Sequence, residues 1–270
     1  RAGQLHMTYR VPEPKVARYE RERPAELKFS PALRTSYLTF NVTRAPFTDT
    51  RVRRAFSLAV NREQLVRATL GKLASPASAM VRPGTGGYTA PGAVRFDSTE
   101  ARRWLAEAGF PGGAGLPEVE FTLNGNTGTT LLIASALQEM WQQNLGVHVA
   151  VLPVEFKVYL SLCREKQFQL LLDGWGYGIP DPRDVLELAT TGDPNNDSAW
   201  SDRGYDSLFA RSDRTGVPAE RQAHFDAMHV PYKGAGAGLL DTIAGQVDAF
   251  LPTIISGLPQ AKNGKVRAIG

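Results

Sequence analysis

Trp175 and Tyr177 flank Gly176 just beyond the apolar run Phe168 to Leu172, and Gly178 follows before Pro180-Asp181-Pro182. A buried strand that empties into aromatics and glycines is one way a fold presents a ligand-facing loop, because an aromatic ring offers a broad apolar face with a polar tip. The same density of Gly and Pro also marks an irregular surface loop, and the residues alone leave both readings open. Further on, Asn195 and Asn196 are either cleft donors or turn formers, with turn formation favoured, and Trp200 precedes a helix start at Tyr205-Asp206. Catalytic patterns are missing. Ser, His and Asp occur without a nucleophile elbow, and no HExxH, phosphate-binding glycine loop or GxGxxG is present. Asp202 and Asp206 read as a capped helix start. The 4 histidines lack metal-ligand spacing. No catalytic residue, metal site or cofactor is therefore expected.

The elements that must carry this loop alternate between periods of two and of about three and a half. Tyr37, Thr39 and Asn41 alternate with Leu38, Phe40 and Val42, which predicts a strand. Thr48 or Asp49 can cap a helix with Val52, Ala55, Phe56, Ala59 and Val60 on one face, and Asn61 opens the next. Strands are expected at Gln4 to Thr8, Leu27 to Ser30, Val119 to Leu123, Val147 to Val151 and Phe168 to Leu172. Helices are expected at Pro14 to Arg23, from Ser98 to a Gly109 stop, Thr127 to Asn144 with a Gly146 stop, and Phe156 to Glu165. Strands separated by helices predict an α/β fold with a mostly parallel or mixed sheet flanked by helices.

Composition narrows the class further. The chain has 270 residues, 42% of them hydrophobic and 21% charged, enough for one large core or two modest ones. No window holds the ~18 consecutive apolar residues of a membrane span. The net charge of +4 comes from scattered cations such as Arg51, Arg53 and Arg54, so no basic stripe points to nucleic acid. The single cysteine, Cys163, excludes an internal disulfide and leaves the compartment undecided.

The segment from Trp175 to Pro182 resembles the Trp-x-x-x-x-x-Asp-Pro stretch of the family 5 solute-binding proteins, the dipeptide and oligopeptide receptors of ABC importers. Arg1 to Met7 is similar to that family's Arg-x-Gly-Gln strand, and Thr35 to Val66, with its Pro-Phe-x-Asp turn, is the most specific match. The likeness runs through residues 1 to 228. It implies a periplasmic-binding-protein-like lobe: residues 1–34 crossing from a first lobe, 35–190 forming the second, ligand-binding lobe, and 191–228 returning toward the first. Because Arg1 would fall inside a strand, a fragment or processed form is expected. The implied function is capture of a small peptide-like or other solute outside the cytoplasm, in the periplasm, for delivery to a membrane ABC permease, without chemistry. Trp175, Tyr177, Gly178 and Asn196, with Arg34 and Tyr37 near the crossover, are the implied ligand-binding residues. Many peptide-binding members carry an Asp at the position of Gly178 to pair with the ligand's α-ammonium, so an ordinary peptide ligand is put in doubt. Asp181 reads as a helix cap.

From His229 the chain, HVPYKGAGAG and onward, resembles a piece of the tripartite tricarboxylate receptors. It reads as a short βαβαβ tail in which Tyr232, Lys233, Gly234 and Ala235 would lie at a helix terminus suited to an anion. The whole then reads as two receptor fragments joined near Met228; natural fusion, engineered chimera and misassembled sequence all stay open. The rival reading is a non-binding structural fragment whose tail completes the fold. A half-cleft left open would also be apolar enough to pair two copies into a homodimer.

Overall fold

A computed structural model of the chain describes residue 11 and residues 13–30, 32–91 and 94–229. It divides into two units, residues 1–33 and 34–270. In the first, helix α1 spans Glu13–Glu22 and carries the exposed pair Arg18–Glu22, 2.7 Å apart. The stretch expected as a strand at Leu27 to Ser30 is irregular. The strand expected at Gln4 to Thr8 lies outside the described residues.

The second unit is built on one mixed sheet. Its elements, in chain order, are β1 (Arg34–Phe40), α2 (Thr50–Leu58), α3 (Arg62–Thr69), α4 (Ser98–Glu107), β2 (Val119–Asn124), α5 (Gly128–Leu145), β3 (Val149–Val154), α6 (Phe156–Arg164), β4 (Leu170–Gly176), α7 (Arg183–Leu186), α8 (Arg203–Arg214) and α9 (Pro218–Met228). The strand order is β1-β4-β2-β3. β2 runs parallel to both β3 and β4, whereas β1 is antiparallel to β4, with Leu38 opposite Leu172 and Thr35 opposite Trp175. This is the mixed sheet flanked by helices that the pattern of the sequence predicts.

Why these residues form these elements is visible at their ends. Asp49 caps α2 by accepting from the Arg51 amide, Asn61 caps α3 through Gln64, Asp97 caps α4 through Glu100, and Thr127 caps α5 through Thr130. Gly146 closes α5 in the left-handed conformation at φ 71°. On one face of the sheet Phe121, Leu123 and Leu170 pack with Leu137, Trp141 and Leu145 of α5 and with Phe47, Val52 and Phe56 around α2. The Trp141 indole N–H donates to the Phe56 carbonyl at 3.0 Å, so the largest buried ring keeps its polar atom satisfied. The opposite face is thinner. There Tyr159 and Cys163 of α6 cover Phe168 and Leu171.

Because α5 leaves β2 for one face and α6 leaves β3 for the other, the loops of two neighbouring parallel strands diverge. The carboxyl ends of such diverging strands are where ligands sit in α/β sheets. β4 delivers Trp175 to that same edge.

Candidate functional site

Trp175 occupies the last residues of β4, half-buried, and its orientation is fixed by a residue the sequence reading did not single out. The indole N–H donates to Asp184 Oδ2 at 2.9 Å, and the same oxygen accepts the Gly178 amide at 3.1 Å. Asp184 stands in the first turn of α7, so the loop folds back on the strand it has just left. An acidic residue in a helix first turn after Asp-Pro was the available signal, but that alone does not say which donor it will meet.

Tyr177 points the other way. It is buried, and its hydroxyl forms a triangle with Thr35 Oγ1 and the Met80 carbonyl, each side 2.9 Å, while the Arg82 amide donates to it at 3.0 Å. Its polar atom is wholly engaged in fastening residues 80–82 to β1. Asn196 is 5% exposed and equally committed. Its Nδ2 donates to the carbonyls of Thr190 and Trp200 at 2.9 and 2.8 Å, and its Oδ1 accepts from Ser198 at 2.7 Å. Both act as staples in this structure, Asn196 in the turn-forming role favoured from its sequence. Gly178 remains exposed at the rim, where it presents only backbone.

Arg34 begins β1 opposite Gly176 and is exposed. Its guanidinium lies over Gly174, where a Cβ would come within 2.6 Å of Nη2, so this glycine is what lets the cation rest across the strand. Tyr37 stands opposite Asp173 on the other face of the sheet, with Tyr159 of α6 nearby. Burial, followed by the charges of Asp173 and Asp197, pushes the Tyr37 hydroxyl well above its usual range. Burial likewise raises the Asp173 carboxyl, against the Gly174 amide that donates to it at 2.7 Å; Asp197 raises it further, while the Tyr159 hydroxyl and Arg34 pull it down. Asp197 itself is held by Lys166 at 3.0 Å. Thus Trp175 and Tyr37 share one face of the β1–β4 pair and Arg34 lies on the other.

Asp181 accepts the Arg183 amide and receives both terminal nitrogens of Arg221 at 2.8 Å, tying the start of α7 to α9. Burial would raise its carboxyl, but the hydrogen bonds from Arg221 and Arg183 outweigh that and leave it below its ordinary value. Among the described residues no trio of His, Cys, Asp or Glu is placed to hold a metal ion, and no helix is long and apolar enough to cross a membrane. Tyr232, Lys233, Gly234 and Ala235 lie outside the described residues.

A mixed sheet flanked by helices, with Trp175 at its carboxyl edge, has the architecture of a periplasmic-binding-protein-like lobe. The comparisons give the family. Residues 1–197 match the bacterial extracellular solute-binding proteins, family 5 (middle region), and the chain belongs to that family. It is 30% identical over 217 residues to the periplasmic oligopeptide-binding protein OppA of Salmonella typhimurium, covering 78% of this chain and 40% of that protein. It is 28% identical over 243 residues to the probable deoxycholate-binding periplasmic protein YgiS of Escherichia coli, covering 85% of this chain and 43% of that one. The solved structure of the Escherichia coli murein tripeptide binding protein MppA superposes with a TM-score of 0.74 at 25% identity, over 81% of this chain and 44% of that one. The chain thus spans less than half the length of these relatives.

Proposed function

We propose that this chain is the ligand-holding lobe of an extracytoplasmic receptor that captures a peptide-like solute for an ABC permease. The observation that carries it is the Trp175 ring itself: an indole pinned by Asp184 at the carboxyl edge of the sheet. Residues 35–190 hold that ring, and residues 191–228 form the return path away from it. The named relatives are an oligopeptide-binding protein, a murein tripeptide binding protein and a probable deoxycholate-binding protein, and a peptide-like solute is in keeping with them. Binding requires no proton or group transfer; specificity comes from ring packing and a few polar contacts.

The rival reading, a lobe that folds without binding anything, draws on the internal satisfaction of Tyr177 and Asn196. Calorimetric titration of the purified chain with a mixed tripeptide pool separates the two. Heat of binding that Trp175→Ala abolishes, with the thermal unfolding of the variant unchanged, supports capture; no heat at millimolar peptide supports the rival.

A further inference from the structure

The Trp175 ring is aimed by Asp184, and Asp184 stands on a helix that cannot hold a direction alone. Helix α7 has only 4 residues, too few for its own hydrogen bonds to stabilise it. Its two ends are held from outside. At the start, Asp181 accepts the Arg183 amide at 2.9 Å. The same carboxylate receives both terminal nitrogens of Arg221 from α9 at 2.8 Å, while Arg221 Nε donates to the Ser212 carbonyl of α8 at 3.1 Å. At the far end, the Tyr205 hydroxyl of α8 donates to the Leu186 carbonyl at 2.6 Å. Arg183 is further bound by Asp213 of α8 at 2.8 Å. The loop before α7 is braced as well. A Cβ on Gly86 would come within 2.9 Å of the Pro180 carbonyl, and the Tyr88 hydroxyl, two residues on, donates to Asp226 of α9 at 3.0 Å.

We infer that Arg221 is a positioning residue for solute capture: from α9 it fixes Asp181, and through α7 it fixes the Asp184 carboxylate that aims the Trp175 indole. The inference rests on the solute-binding reading above and extends its machinery beyond residues 1–197, the stretch matched to the family. A planar guanidinium that meets both oxygens of a carboxylate sets its plane as well as its place. From Asp181 the path to Asp184 is a single turn of backbone, closed by the Asp184 amide donating to the Asp181 carbonyl at 3.2 Å. Arg221 therefore acts on the ring through two carboxylates, and a ring held in one direction loses less freedom when a solute packs against it.

Hydrogen exchange at the indoles of the whole 270-residue chain, followed by NMR, tests this, with Trp141 as the internal reference because its N–H is held by the Phe56 carbonyl in the core. In Arg221→Gln the Trp175 indole hydrogen is expected to exchange about tenfold faster while that of Trp141 is unchanged. Asp181→Asn keeps an oxygen for the Arg183 amide and removes the charge that Arg221 meets, so it is expected to act in the same direction. Calorimetry with the mixed tripeptide pool is expected to show about fivefold weaker binding in both variants. A Trp175 hydrogen that speeds up only in step with that of Trp141 marks a merely structural role and overturns the inference, as does a loosened ring with unaltered affinity. Absence of heat from the unmodified chain overturns the solute-binding reading instead, and the exchange result alone then decides whether Arg221 positions the ring.

Discussion

A single carboxylate oxygen sets the direction of the Trp175 ring. Asp184→Ala leaves the half-buried indole N–H without an acceptor, at a cost of about 1–2 kcal/mol, and hands the exposed Gly178 amide to water. The expected readout is a red-shifted tryptophan emission and a lower urea midpoint; an unchanged spectrum contradicts the pinning. Asn196→Ala removes three hydrogen bonds from a buried amide and is expected to cost about 2–3 kcal/mol in urea unfolding. Were Asn196 a ligand donor, the variant would lose affinity and keep its stability. Burial, reinforced by Asp197 and Asp173, pushes the Cys163 thiol up to about 12, so at neutral pH it stays protonated. Alkylation of Cys163 is expected only after denaturant is added. At this scale the sequence marks Trp175 well, since an aromatic after a strand and before Asp-Pro is a local signal. It cannot show that Asp184 returns across nine residues to that ring, or that Tyr177 turns inward, because both depend on where the chain comes back.

Helix boundaries were the most legible elements. Asn61 and Gly146 do what their types predict at the positions expected, because capping is settled within three or four residues. Strand ends were less so. β4 runs on through Gly174, Trp175 and Gly176, past the point where glycines signal a turn, because pairing with Arg34 to Ser36 of β1 overrides their weak strand preference. Likewise β3 extends to Val154 although Pro153 would end a central strand; at the sheet's edge the missing amide costs nothing. Leu131, expected on the packed face of α5, is 36% exposed in the first turns of that helix, and Ala134 and Leu145 fill the face instead. Gly146→Ala places a Cβ against the Gly112 carbonyl at positive φ, and thermal unfolding is expected to register a loss of about 2 kcal/mol or more. The Asp181–Arg221 link between α7 and α9 gives a pH signature. Its folded carboxyl titrates below the ordinary ~3.8, so its stabilisation is complete above that value and is lost as pH falls through the folded value. Asp181→Asn is expected to flatten the acid limb of the stability profile; an unchanged slope contradicts the pairing.

For the molecule as a whole, the layered mixed sheet, the family and the carboxyl-edge loop were all within reach of the sequence, because periodicity and the Trp-to-Asp-Pro spacing are local records of a global arrangement. Which polar groups stay available to a ligand was not, since availability is what remains after long-range hydrogen bonds are made. The central claim is that solute is held at the carboxyl edge of the sheet. Amide and indole chemical-shift mapping of the isotopically labelled chain, titrated with a mixed tripeptide pool, tests it most directly. The account predicts shifts at the Trp175 indole N–H, at Gly176 to Ile179 and at the first turn of α6. Shifts centred instead on the concavity of about 550 Å³ at the opposite edge, between Thr43–Ala45 and Glu118–Glu120, would contradict it, as would no shift at all.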